Sequence, residues 1–297
     1  KTMNNTISTP SISSSAMLTE LTISQWSARK LDKTASREIA AKNYAEEGIA
    51  NVNKKLLDCE QLKAIQKIVS ATRNLHYSMT MPWSDSGLRL LTTKNYFNHQ
   101  KEMTGMTQEF MRLVDSFLYD YEWEINKTQA KLGMMFDRAE YPTAEQIRGK
   151  FRIGLSYVPL PDVGDFRIDI GNEANEQLRS HYETYYEEKL KNSMDDLWTR
   201  LHKVCGVMSE RLDYKDGEKA FGERTFANTL VSNVLDVVDL LKTCNVTNDP
   251  EMDRIARKLE NNLHMIEPQD LRDDQKLREV TKKNVDEVLS SLPSLDI

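Results

Sequence analysis

At 297 residues the chain is long enough for one large domain or two ordinary ones. Apolar residues make up 39% and charged residues 29%, the balance of a helix-rich protein with much solvated surface, and the net charge of −6 argues against a general basic field that coats nucleic acid. Three widely spaced cysteines (Cys59, Cys205, Cys244) form no CxxC pair, and no run approaches the ~18 apolar residues of a membrane span, so a cytoplasmic protein with buried thiols is expected, not a disulfide framework or a membrane protein.

The first sixteen residues, "KTMNNTISTPSISSSA", are rich in Ser, Thr and Asn and lack the apolar core of a secretion signal, so a disordered leader is expected over 1–16. From there a helical body is expected to run over 17–246. Ile39, Ile49, Val52, Leu56, Cys59, Ile65, Ile68, Val69 and Thr72 recur mostly at helical steps up to about residue 79. "PWSDSGLRLL" (82–91) breaks that pattern with Pro82 and Gly87, and Trp83 anchors what reads as a packed loop.

Met106, Phe110, Leu113, Val114, Phe117, Leu118, Tyr121, Ile125, Leu132, Met135 and Phe136 form a long apolar stripe, which predicts a helix over about 104–137. Pro142 and Thr143 read as the start of a short helix that Thr143 caps. A β-hairpin is expected at about 151–170. Phe151, Ile153, Leu155 and Tyr157 alternate on one arm, Phe166, Ile168 and Ile170 on the other. Pro159 and Pro161 must bound the strands, because proline cannot donate to a ladder.

A second long helix is expected over about 173–212. Leu190, Met194, Leu197, Leu201, Val204 and Met208 step by four and three, a heptad seam. The seam serves either self-association or burial against the 106–136 stripe, and the second is favoured. "FANTLVSNVLDVVDLLKTC" predicts an apolar helix, Asn248-Asp249-Pro250 starts another, and Pro268 precedes a last one, in a C-terminal helical segment over 247–297. The fold class expected is mainly α: long antiparallel helices forming a bundle or coiled-coil-like stalk, with one β-hairpin inserted between two of them. A lone hairpin is marginal in water. It therefore caps the stalk or joins a small sheet with strands near Leu88–Leu91.

No phosphate loop, GxGxxG, HExxH or Gly-x-Ser-x-Gly motif occurs, and the five histidines are scattered, so no catalytic residue, cofactor or metal is assigned. Asp162, Asp165 and Asp169, with the Glu187–Lys189 triplet, resemble the carboxylate sets of Mg²⁺-dependent nucleases. The triplet falls in a helix, however, where chance and surface solvation explain it better. Trp83, Trp123 and Trp198 have the shape of base-stacking groups, though aromatics at helical spacing more often pack cores. Arg148, Lys150, Arg152 and Arg167 make the one local cationic cluster, which the three aspartates weaken. The candidate interaction residues are Arg152, Arg167, Pro159, Pro161, Asp165, Phe166 and Trp83.

The order "PWSDSGLRLL" (82–91), "FDRAEYPTAEQIRGKFRI" (136–153), "VPLPDVGDFRIDI" (158–170) and "MDDLWTRLHKVCGVMSERL" (194–212) resembles a family of phage and bacterial proteins with no established activity. The resemblance covers about residues 26–241. It implies a protein that works beside chaperone-like ATPases of the AAA class, MoxR-type, and von Willebrand-type domain proteins, in the host cytoplasm if phage-encoded. The expected function is therefore non-enzymatic protein interaction or assembly, with a protein partner and a homo-oligomer as its forms. A nucleic-acid-binding role in phage replication or recombination, through the hairpin, is the alternative.

Overall fold

The computed structural model describes residues 12–160, 172–214 and 227–293, and of residues 12–13 and 172–179 the backbone alone. The fold is mainly helical with a small sheet. A short helix α1 (Ile12–Ser15) leads into strand β1 (Ala16–Ser24); β2 (Arg29–Leu31), α2 (Lys33–Lys42), β3 (Asn53–Lys55) and α3 (Glu60–Met79) follow. Next come β4 (Met81–Pro82), β5 (Arg89–Thr92), the 37-residue α4 (Tyr96–Leu132), α5 (Ala144–Arg148) and β6 (Arg152–Pro159). The 41-residue α6 (Asn172–Leu212), α7 (Leu230–Cys244), α8 (Pro250–Leu263), α9 (Pro268–Asp273) and α10 (Gln275–Ser291) complete the described chain.

Four strands form one sheet in the order β4-β5-β1-β6, with β1 antiparallel to β5 (Leu18 opposite Leu90) and β5 antiparallel to β4 (Met81 opposite Leu90). Three sequence expectations change here. The leader does not stay irregular to residue 16: Ile12–Ser15 are helical and Ala16 opens a nine-residue strand. "AMLTELTIS" is built on Thr, Leu and Ile with partial period-two alternation, which suits a pleated surface, and it lies before the residues whose helical spacing is clear. The segment expected to be a packed loop is the β4–β5 hairpin. Pro82 sits on its edge strand, where a missing N–H costs nothing, and Gly87 takes φ +103° in the turn, where L side chains rarely go. Finally, the first arm of the expected hairpin is β6, which ends at Pro159 and joins the sheet that contains the Leu88–Leu91 region. Its second arm, with Pro161, Asp165, Phe166 and Arg167, lies outside the described residues.

The chain divides into two compact units, and each has its own core. The first contains residues 1–20, 77–99 and 156–297. The α6 seam is its spine: Leu197, Leu201 and Met208 are fully buried, in one cluster with Val234, Val238 and Leu241 of α7, Ile255 and Leu259 of α8, and Val285 and Val288 of α10. Burial is thus intramolecular, as favoured, but the partner is not the 106–136 stripe; α7 and α10 pack on α6. The expected single helix after Pro268 is two. Asp274 breaks it and caps α10 by accepting from the Leu277 N–H at 3.1 Å. At that corner the fully buried Arg278 donates to the carbonyls of Leu271, Arg272 and Tyr214 and stacks on the Tyr214 ring at 4.0 Å. Its guanidinium is therefore hydrogen-bonded in the interior, the condition for burying a charge.

The second unit contains residues 21–76 and 100–155. One face of α4 (Phe110, Val114, Phe117, Tyr121, Ile125) is buried in a cluster with Leu62, Ile65 and Val69 of α3, Trp26 and Phe151. Buried polar ends find acceptors: the Tyr121 hydroxyl donates to the Pro142 carbonyl at 2.9 Å and Tyr141 to the Leu56 carbonyl at 2.8 Å. The buried Lys54 of β3 ties the turn after α4, bonding the Met135 carbonyl at 2.8 Å and pairing with Glu140 at 2.5 Å. The expected Thr143 cap is present as a reciprocal box with Gln146. Ile39 and Ile49, counted in the helical spacing, are exposed; α2 and the loop after it present them to solvent.

Candidate interaction surface

Helix α4 carries apolar residues on two sides, and only one is covered. Away from the core stripe, Tyr119 is 90% exposed and Trp123, one turn later on the same side, is 60% exposed. Lys127, a further turn along, lays its ammonium over the Trp123 ring at 4.6 Å from the centroid. The charges on this helix are largely matched at home. Arg112 forks onto Glu109, Arg138 onto Glu122 from the following turn, and Arg148 of α5 pairs with Asp115 at 2.8 Å, while Gln61 of α3 donates to Asp120. With those carboxylates and guanidiniums neutralised, the two rings are the surface's distinguishing chemistry. Just past the helix, Gly133 takes φ +52°, the left-handed residue that stops α4, and the following Met134 is fully exposed. Tyr, Trp and Met are the residue types enriched where proteins bind one another.

The residues singled out from sequence fall in different places. Arg152 is exposed on β6 and makes no ion pair among the described residues, and the nearby Lys150 is likewise exposed. Arg148, expected beside them in the cationic cluster, is paired with Asp115. Pro159 is exposed at the end of β6. Trp83 belongs to the core: it is buried in the β4–β5 turn, edge-to-face with Tyr186 of α6 at 5.4 Å, and offers no surface for a partner. Arg167, Pro161, Asp165 and Phe166 lie outside the described residues, as do Asp162 and Asp169 of the nuclease reading, while Glu187 and Lys189 sit on α6. Tyr119 was not singled out, and Trp123 only as a group that more often packs cores. The signal for both was their i,i+4 spacing, offset from the core stripe of the same helix.

Other chemistry-bearing groups are buried. His99, at the start of α4, is fully buried, its Nδ1 3.1 Å from the Tyr157 hydroxyl of β6. Desolvation pushes the His99 pKa down to about 4 and that of Tyr157 up to about 12, so both are neutral at pH 7. Burial raises all three thiols, Cys205 to about 12, which leaves them without thiolate character. Among the described residues no group of three or more His, Cys, Asp or Glu side chains is arranged to hold a metal, and no helix is long and apolar enough to cross a membrane. Comparison with protein-family models, with curated proteins and with solved structures found no match to this chain in any of the three.

Proposed function

We propose that this chain is a non-enzymatic interaction or assembly protein, of phage or prokaryotic type, whose partner is a protein. The observation that carries the reading is the exposed Tyr119–Trp123 pair on α4, a helix whose opposite face already supplies the core of its unit. Two large rings held in water on a rigid helix lose little conformational entropy when covered, which favours binding there. The resemblance of 82–91, 136–153, 158–170 and 194–212 to the phage and bacterial family supports a chaperone-like ATPase of the AAA class as that partner. A homo-oligomer through the α6 seam loses support, because Leu197, Leu201 and Met208 are buried within their own unit. Capture from host lysate after nuclease treatment, read by mass spectrometry, tests the reading. An AAA-class ATPase retained by the wild type and lost from the Tyr119→Ala/Trp123→Ala variant is the expected result. Equal recovery by both proteins overturns it.

A second reading, contact with nucleic acid, rests on the exposed Arg152, which makes no ion pair among the described residues, and the exposed Lys150. It predicts single-stranded DNA binding that weakens steeply with salt and is lost in Arg152→Glu. Salt-independent or absent binding removes it.

A further inference from the structure

In the first unit, two guanidiniums converge on one backbone oxygen. Arg89 of β5 donates from Nη2 to the Thr80 carbonyl at 2.9 Å and from Nε to the Thr80 hydroxyl at 2.6 Å. Arg200 of α6 donates from Nη2 to the same carbonyl at 2.8 Å and from Nη1 to the Ser78 carbonyl at 3.2 Å. Sharing an acceptor brings two positive charges together in a half-buried place, which costs free energy unless negative charge is near. Among the described residues the negative charge on hand falls short. Asp196, one turn from Arg200, lies 2.8 Å from its Nε, but its buried Oδ2 is not aligned as a hydrogen bond. The last carbonyls of α3 add the partial negative charge of a helix C-terminus, about half an elementary charge.

Arg89 bears the deficit. Among the described residues the ionisable groups acting on it are Arg200, Asp196 and Tyr77; burial and then the Arg200 charge hold its pKa below the ordinary arginine value. Its guanidinium lies over the ring of Tyr77, 4.8 Å from the centroid, and that ring is half exposed. Its Nη1 has no acceptor among the described residues. A pre-positioned guanidinium with one free edge, a surplus below one full charge and an aromatic wall matches a planar monoanion, the geometry an arginine fork takes up on a carboxylate.

We infer that Arg89 and Arg200, walled by Tyr77, form a binding site for a carboxylate, borne by a small organic acid or by an acidic residue of a peptide. This site uses none of the residues of the α4 surface and does not rest on the interaction reading. One carboxylate is the smallest whole charge that offsets this surplus, whereas a phosphate dianion far exceeds it. Asp196 is the internal competitor: it occupies part of the Arg200 fork, so removing its charge strengthens capture.

The test is isothermal titration of the full chain with succinate, with an acetylated tetraglutamate peptide and with inorganic phosphate, at matched ionic strength held with chloride. Saturable binding of succinate or of the peptide, weakened roughly tenfold in Arg89→Gln and tightened in Asp196→Asn, is expected for the loss or gain of one charge-assisted contact. Succinate and peptide arms separate a small-molecule ligand from a peptide one. Arg89→Lys keeps the charge but loses the fork, so it carries the same expected weakening if Arg89→Gln fails to fold. No saturable binding of either carboxylate, equal binding by wild type and the Arg89 variants, or binding of phosphate alone overturns the assignment.

Discussion

Helices α4 and α6 are of similar length, 37 and 41 residues, and both carry a long apolar stripe, yet they treat their remaining surface differently. The α6 seam is closed on by α7 and α10, with α8 packed in turn on those two, and Val207 and Tyr185 show only partly outside it. The α4 stripe is closed as completely, by α3, Trp26 and Phe151, but the same helix then holds Tyr119 and Trp123 out in water. A periodic stripe therefore reports that a face will be buried somewhere. Apolar residues off the stripe report a surface with a second task, because nothing in folding places a nearly bare tyrosine and a tryptophan one turn apart.

Four measurements break or sharpen that contrast. The largest effects belong to the two stripes: Phe117→Ala in α4 should cost about 3–5 kcal/mol and Leu201→Ala in α6 about 2–5 kcal/mol, read by urea denaturation. Near-neutral values at either position would mean the stripe is not a core. Next in size is the pH response of the His99–Tyr157 contact. The folded pKa of His99 lies below its ordinary value, so the unfolded chain binds the proton first, and stability falls as pH drops from about 6.5 toward about 4. A His99→Gln protein should lack that part of the loss, on the order of 2–3 kcal/mol; an unchanged pH profile would place the acid sensitivity elsewhere.

Smaller is the loss of a cap. Asp249 accepts from the N–H groups of Glu251 and Met252 at the start of α8, and Asp249→Ala should lower stability by about 1 kcal/mol in the same denaturation assay. Smallest is Tyr119→Ala/Trp123→Ala. Its melting should stay within about 0.5 kcal/mol of the wild type for each exposed residue, while partner capture is lost. A large destabilisation instead would make the two rings part of the fold and dissolve the contrast between the helices.

What could be read from the residues was local. The extent of α6, the Thr143 cap, the Asp249-Pro250 start of α8 and the end of β6 at Pro159 all depend on chemistry within a few positions of one another, whereas α4 begins at Tyr96 and ends at Leu132, not over 104–137. Trp83 shows the limit. An aromatic flanked by Pro82 and Ser84-Asp85-Ser86 reads as the anchor of a packed loop and as a candidate contact for a partner, and only Tyr186, about a hundred residues later, makes it core. The candidate surface was half visible, since Trp123 stands out but its neighbour Tyr119 matters only once the core face of α4 is known. The Arg89–Arg200 pair was not visible at all: those side chains are far apart in sequence and meet at a carbonyl whose direction depends on how α3 ends.

By itself, then, the sequence determined a mainly helical chain, some helix limits and which faces want burial, because helix hydrogen bonds and caps close within four residues. Only the tertiary structure decided that "AMLTELTIS" is a strand between β5 and β6, that the α6 seam meets α7 and α10, and that the chain forms two cores. Strand hydrogen bonds reach to distant residues, and apolar burial is non-directional. A stripe therefore accepts any complementary face, and long-range packing selects which one.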